Sequence, residues 1–103
     1  MNENKIYSLL SLCMKAGELI TGEFGCENAV RENGKVKLLI LAADSSQNTK
    51  KKFTNLTSHY NVKLLMFGNL EMLGQKTGKE KRAVLAVTSD GFADKILKLA
   101  SEL

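Results

Sequence analysis

Ile6, Leu9, Leu10 and Cys13 recur at intervals of three and four residues among polar positions, the repeat of one face of an α-helix. Asn2 or Asn4 is the expected cap of that helix and Gly17 its expected stop. A short extended piece around Leu19 to Thr21 leads to Gly22. Beyond it Cys26, Ala29 and Val30 form a second helical stripe, closed by Asn33 and Gly34. Residues 38–43 read LLILAA, a short unbroken apolar run that predicts a strand covered on both faces. Asp44, Ser45 and Ser46 supply oxygen-bearing caps for a third helix, with Gln47 three residues after Asp44 close to a capping box, and Phe53, Leu56 and Tyr60 as its inward stripe. Residues 62–67 predict another strand, Gly68-Asn69 a turn, and Leu70 with Leu73 a short helix. Residues 74–82 read as a basic, glycine-bearing loop and residues 83–88 as a strand. Ser89 then caps a last helix whose Phe92, Ile96, Leu99, Ala100 and Leu103 share one face. Helices alternating with strands imply a three-layer α-β-α sandwich, an α/β fold with a four-stranded mixed sheet.

The chain has 103 residues and is 44% hydrophobic, enough for one core, so residues 1–103 are expected to be a single domain. No apolar run approaches the roughly 20 residues that span a bilayer, and the polar start has no secretory pattern, so a soluble, cytoplasmic protein without a membrane partner is expected. The net charge of +4 is modest, but its distribution is uneven. Ten Lys/Arg stand against three acids between Gly34 and Arg82, a net of +7, while the remainder carries −3. A basic face of that kind attracts a polyanion, although solubility alone accounts for many lysine runs.

Catalytic constellations are missing. His59 stands alone beside Tyr60, and a surface or capping role suits it better than general-base work. Cys13 and Cys26 lie on apolar stripes with no CxxC spacing, which predicts buried thiols and neither a metal site nor a disulfide framework. Two glycine loops approach a phosphate-binding pattern and both fail it. After Gly17 and Gly22, Glu23 and Phe24 occupy the places of the Lys and Ser/Thr, and the stretch from Gly74 through Gly78 and Lys79 is one residue short and runs from helix into strand. No enzyme, cofactor or metal is expected. If the two glycine loops and Lys50-Lys51-Lys52 meet at one end of the sandwich, they form a basic rim where backbone amides and lysines bind phosphate. Folded RNA fits such a rim better than DNA, because no recognition helix is evident, and better than extended single strands, because aromatic residues are only 6% of the chain.

Three segments resemble the ribosomal-protein family written L-seven-Ae/L-thirty-e, and its bacterial YlxQ-like branch most. They are Lys15-Ala16-Gly17 on to Gly22, Lys37-Leu38-Leu39-Ile40-Leu41-Ala42-Ala43-Asp44-Ser45-Ser46, and Leu73-Gly74-Gln75-Lys76-Thr77-Gly78-Lys79-Glu80 on to Val87. The L-G-x-x-x-G loop leading into an Ala/Val strand is the most specific of the three. The resemblance implies an α-β-α sandwich without catalytic activity that binds kink-turn or kink-turn-like RNA, commonly ribosomal RNA within the ribosome. Carried over by position, its RNA surface would comprise Gly22, Glu23, Phe24, Gly25 and Asn28, joined by Gly78, Lys79, Glu80, Lys81 and Arg82, with Lys15, Asn48 and Lys52 flanking.

The chain departs from its relatives inside that surface. The family's signature is Gly, a variable residue, Asn or Lys, then Glu or Gln, two variable residues and Lys, whose polar atoms read the paired purines of the kink. Phe24, Gly25 and Asn28 stand at the matching places. A register one helical turn later would offer Glu27, Asn28 and Arg31 instead. The leading expectation is an RNA-binding protein for structured, kink-turn-like RNA, associated with the ribosome. The alternative is a protein-interaction module of the same fold that has lost kink-turn recognition.

Overall fold

In the computed structural model, which describes residues 2–103, five helices and four strands follow one another in the expected order. They are α1 (Asn2–Lys15), β1 (Leu19–Thr21), α2 (Glu23–Arg31), β2 (Leu38–Leu41), α3 (Gln47–Tyr60), β3 (Leu64–Met66), α4 (Leu70–Lys76), β4 (Val84–Val87) and α5 (Asp90–Ala100). The strands form one mixed sheet in the order β1-β4-β2-β3. β4 runs antiparallel to both β1 and β2, and β2 runs parallel to β3. The fold is therefore the three-layer sandwich that the alternation of elements implied.

Side chains of a strand point alternately to opposite faces, so an unbroken apolar run must be covered twice. β2 meets this condition. Leu38 and Ile40 join the core beneath α1, α4 and α5, where Ile6, Leu10, Leu73 and Ile96 are fully buried. Leu39 and Leu41 join a second core beneath α2 and α3, built on Cys26, Val30 and Phe53. β4 divides the same way, Leu85 and Val87 to the first core and Val84 and Ala86 to the second. Each fully buried Leu or Ile contributes about 1.5–3 kcal/mol of burial free energy, which makes the two central strands the firmest part of the sheet.

Several boundaries differ from the sequence expectation. Asn2 and Asn4 do not cap α1, because both lie within it, and the Asn2 side-chain amide instead donates to Leu99 O at 3.3 Å and Glu102 Oε1 at 3.1 Å, tying α1 to the end of α5. Ser46, not Asp44, caps α3 by accepting from Thr49 N at 3.1 Å. The Asp44 carboxylate reaches across to the amide of Leu70 at 2.8 Å, fixing the start of α4 beside the exit of β2. Of residues 62–67 only Leu64–Met66 pair as a strand, and they stay partly exposed because β3 is an edge. α4 extends through Lys76, so Gly74, Gln75 and Lys76 are helical and not loop. α5 ends at Ala100, leaving Leu103 62% exposed outside the apolar face expected for it.

Candidate nucleic-acid interface

Strand order decides which loops meet. β1 leaves the sheet next to the entry of β4, and β4 enters next to the exit of β2, so three connections converge at one end. Backbone bonds lock them together: Gly22 N donates to Val84 O at 3.2 Å and Ala42 N to Ala83 O at 2.8 Å. Arg82 Nε lies 3.5 Å from Thr21 Oγ1, and Arg82 also donates to Lys81 O at 3.0 Å, which aims its guanidinium over the end of β1.

Gly22 turns the chain from β1 into α2 with a φ of +91°, a region that side-chain-bearing residues seldom adopt. As the N-cap it has no side chain to offer, so the first amides of α2, which like those of any helix start lack intrahelical partners, receive no side-chain cap, the arrangement that suits an anion. Glu23 is drawn back from this opening: its carboxylate accepts from Thr49 Oγ1 at 3.3 Å, and Thr49 in turn accepts from Ser46 Oγ at 3.0 Å. Gly25 packs tightly, since a Cβ there would stand 3.1 Å from Ile20 Cγ2. Phe24, between Glu23 and Gly25, is 81% exposed.

The second loop is shaped by Gly74 and Gly78. A Cβ at Gly74 would overlap the carbonyl of Glu80, so the loop folds back directly onto bare helix backbone. Lys79 N donates to Gly74 O at 2.8 Å, and the buried Thr77 hydroxyl donates to Leu73 O at 2.9 Å. Gly78 takes φ +73° to reverse the chain. Lys79, Glu80 and Lys81 are left exposed, and Glu80, Lys81 and Arg82 line a depression of about 490 Å³.

One further group of expected residues is already engaged. Glu27 Oε1 lies 2.6 Å from Lys52 Nζ, and Glu27 Oε2 lies 2.9 Å from Arg31. Lys52 first and Arg31 second hold the Glu27 carboxyl below the ordinary carboxylate range, and Glu27, with the Tyr60 hydroxyl, holds Arg31 above its ordinary value. The later register of Glu27, Asn28 and Arg31 therefore presents a free amide at Asn28, while its two charged groups close on each other.

Gly22, Glu23, Phe24, Gly25 and Asn28 thus fall on or beside the convergent end, with Gly78, Lys79, Glu80, Lys81 and Arg82 opposite and Asn48 exposed on the first turn of α3. Lys15 does not join them. It ends α1, and the following Glu18 bonds to Thr88 N at the other end of β1. Sequence reasoning missed Thr21, Thr49 and Thr77, the hydroxyls that hold the loops in place. The serine-x-x-threonine spacing from Ser46 to Thr49 was a readable capping signal, whereas the bonds of Thr21 and Thr49 to distant elements had none. A larger depression of about 590 Å³ lies elsewhere, between α1 and α5, and contains none of these residues.

Burial pushes the Cys26 thiol up to about 12 and the Cys13 thiol up to about 11, with the Glu23 and Glu18 carboxylates adding smaller effects. Both are fully buried, and their Sγ atoms donate to Ile20 O and Glu18 O. Among the described residues no cluster of His, Cys, Asp and Glu could hold a metal ion, and no helix is long and apolar enough to cross a membrane.

Comparison with known proteins places this arrangement. The pattern of the ribosomal protein L7Ae/L30e/S12e/Gadd45 family matches residues 4–97. A protein named RNA-binding protein YlxQ from Bacillus subtilis (strain 168) is 38% identical over 93 residues, covering 90% of this chain and 92% of its own. A protein of the same name from Enterococcus faecium is 37% identical over 98 residues, covering 95% and 93%. Among solved structures, a protein of unknown function from Bacillus halodurans C superposes with a TM-score of 0.88 at 38% identity, over 94% of this chain and 97% of its own. The Giardia lamblia 15.5kD RNA binding protein superposes with a TM-score of 0.80 over 98% and 86%, at 15% identity, a likeness of fold.

Proposed function

The chain belongs to the ribosomal protein L7Ae/L30e/S12e/Gadd45 family, and from that premise we propose that it is a cytoplasmic RNA-binding protein that recognises structured, kink-turn-like RNA and works in association with the ribosome. Two relatives that match it over nearly their whole length carry the name RNA-binding protein, which supports the broad part of this reading. The observation that carries it is the convergence, at one end of the sheet, of the uncapped start of α2 with the basic loop before β4. Uncapped backbone amides and Lys79, Lys81 and Arg82 grip phosphates on either side of a bend, and the glycines let the RNA backbone come close. Lys15 stands outside this edge, and Lys52 and Arg31 contribute what charge Glu27 leaves them. The reading has no catalytic step and needs no cofactor.

A second reading is favoured by the same segment. Phe24 and Gly25 replace the polar residues that would read paired purines, and an exposed phenyl ring also suits a protein partner. The test of both is direct binding of the purified protein to a kink-turn RNA and to a fully paired duplex of equal length, each titrated at two salt concentrations. Tight, kink-selective binding is expected. Weak binding that is equal on both RNAs would refute kink-turn recognition, and a partner retained after nuclease treatment would then support the protein-interaction module.

A further inference from the structure

We propose that Phe24 is a stacking platform for an unpaired nucleobase, so that at this position the chain holds a nucleotide splayed out of structured, kink-turn-like RNA where the family's signature would read the edges of paired purines. The inference rests on the RNA-binding reading and names the class of RNA that the altered segment accepts.

A single exposed apolar side chain needs no ligand to explain it, so exposure alone does not decide the matter. The surroundings do. Phe24 is 81% exposed, more than Leu12, Met66 or Leu103, and occupies the first turn of α2, directly after the Gly22 turn that meets Val84. Gly22, with open space around its Cβ position, and Gly25, pressed against Ile20, leave the ring without side-chain cover along the chain. Glu23, between Gly22 and the ring, is turned away to Thr49, and Glu27 one turn later is held by Lys52 and Arg31. The two acidic neighbours are thus occupied and the phenyl face is presented.

Phenyl has no hydrogen-bond donor or acceptor, and Gly25 has no side chain, so neither can read a base-pair edge. An aromatic face is instead well suited to an unstacked base, the common mode of specific RNA recognition. Asn28 stands four residues after Phe24, on the same helix face and exposed, where its amide can bond the edge of a base lying on the ring. Arg82, 3.5 Å from Thr21 Oγ1, and Lys81 stand on the neighbouring loop to take the flanking phosphates. Together they form a site for one flipped nucleotide: ring below, amide at the edge, cations at the backbone.

The chain contains no tryptophan, so Phe24→Trp places a single indole reporter at the site. Wild type, Phe24→Trp, Phe24→Ala and Lys79→Ala/Lys81→Ala would be titrated with an RNA hairpin carrying an unpaired bulge and with the same hairpin fully paired. The expected result is quenching of the indole by the bulged RNA alone, with Phe24→Ala weakening that complex roughly 5- to 150-fold, the loss of one base stack, and leaving the paired hairpin unaffected. If bulged RNA binds and the lysine variant weakens it, but Phe24→Ala binds as wild type and the indole is silent, the stacking role is overturned while RNA binding stands. If wild type binds neither hairpin at any salt concentration, the RNA reading fails and takes this inference with it.

Discussion

Glu27 sits between two cations that a reading of charge alone assigns to phosphate. Its 2.6 Å contact with Lys52 and 2.9 Å contact with Arg31 leave the three groups with one net positive charge. Lys52→Ala is therefore expected to weaken RNA binding less than Lys79→Ala, whose ammonium is exposed on the loop, as parallel titrations at one salt concentration would register. Glu27→Gln should do the reverse, tightening binding and steepening its salt dependence by releasing both cations. The same substitution has a pH signature. A carboxyl whose folded pKa is lowered contributes stability above its unfolded pKa and loses it as pH falls through the folded value. Any Tm advantage of wild type over Glu27→Gln should thus be present at neutral pH and disappear on the acid side of the carboxylate range, and it should be small, because solvent screens exposed ion pairs. The thiols make a sharper residue-scale case. With the Cys13 pKa about 11 and the Cys26 pKa about 12, almost no thiolate exists near neutrality, and neither sulfur is accessible. A disulfide exchange reagent should find neither thiol in the native protein and both in denaturant; rapid native labelling would contradict the burial.

At the scale of the element, α4 and the loop after it are one device. Leu73 anchors the helix in the core, Gly74 lets the Glu80 carbonyl lie on the helix backbone, Thr77 closes the last turn and Gly78 reverses the chain. The L-G-x-x-x-G motif is therefore a packing rule that sets where Lys79, Lys81 and Arg82 stand. Gly74→Ala must push the loop away, an overpacking change that costs on the order of 1–3 kcal/mol, and it should weaken RNA binding as well without removing any charge. Gly78→Ala meets open space and only the penalty of the left-handed conformation, about 1–2 kcal/mol. Urea melts of the two variants beside their RNA titrations would separate the effects, with a larger affinity loss expected in Gly74→Ala. Equal affinities would mean that loop position does not matter.

Over the whole molecule the basic residues are divided between the two ends of the sheet. Lys79, Lys81, Arg82 and the lysines at the start of α3 gather at the convergent end. Lys37 and Lys63 sit at the opposite one, their backbones bonded to Val87 and Leu39. The net of +7 counted along residues 34–82 is therefore not a single face. Removing one lysine that neutralises a phosphate should lower the slope of log affinity against log salt by about 0.9 on a duplex and about 0.7 on a single strand. Combined Lys79→Ala and Lys81→Ala should reduce the slope by roughly twice that amount, and combined Lys37→Ala and Lys63→Ala should leave it unchanged. A slope that falls equally in both pairs would mean that the protein binds RNA without a preferred end.

The sequence by itself determined the number, type and order of the elements, because burial imposes periods that a chain cannot hide. Ile6 to Cys13 could only pack as a helix face, and Leu38 to Leu41 only as a strand covered twice. It also showed which segments resemble a known family, since the glycines of those loops answer to local backbone geometry. Tertiary structure decided what those loops do together. The insertion of β4 between β1 and β2 brings Gly22 to Arg82 and sends Lys15 to the far end, and no local pattern encodes strand order. It likewise decided which charges are free, since the pairing of Lys52 with Glu27 joins residues on two different helices. Propensity and period act over a few residues, whereas a site is an arrangement of distant segments, fixed only when two cores close on one sheet.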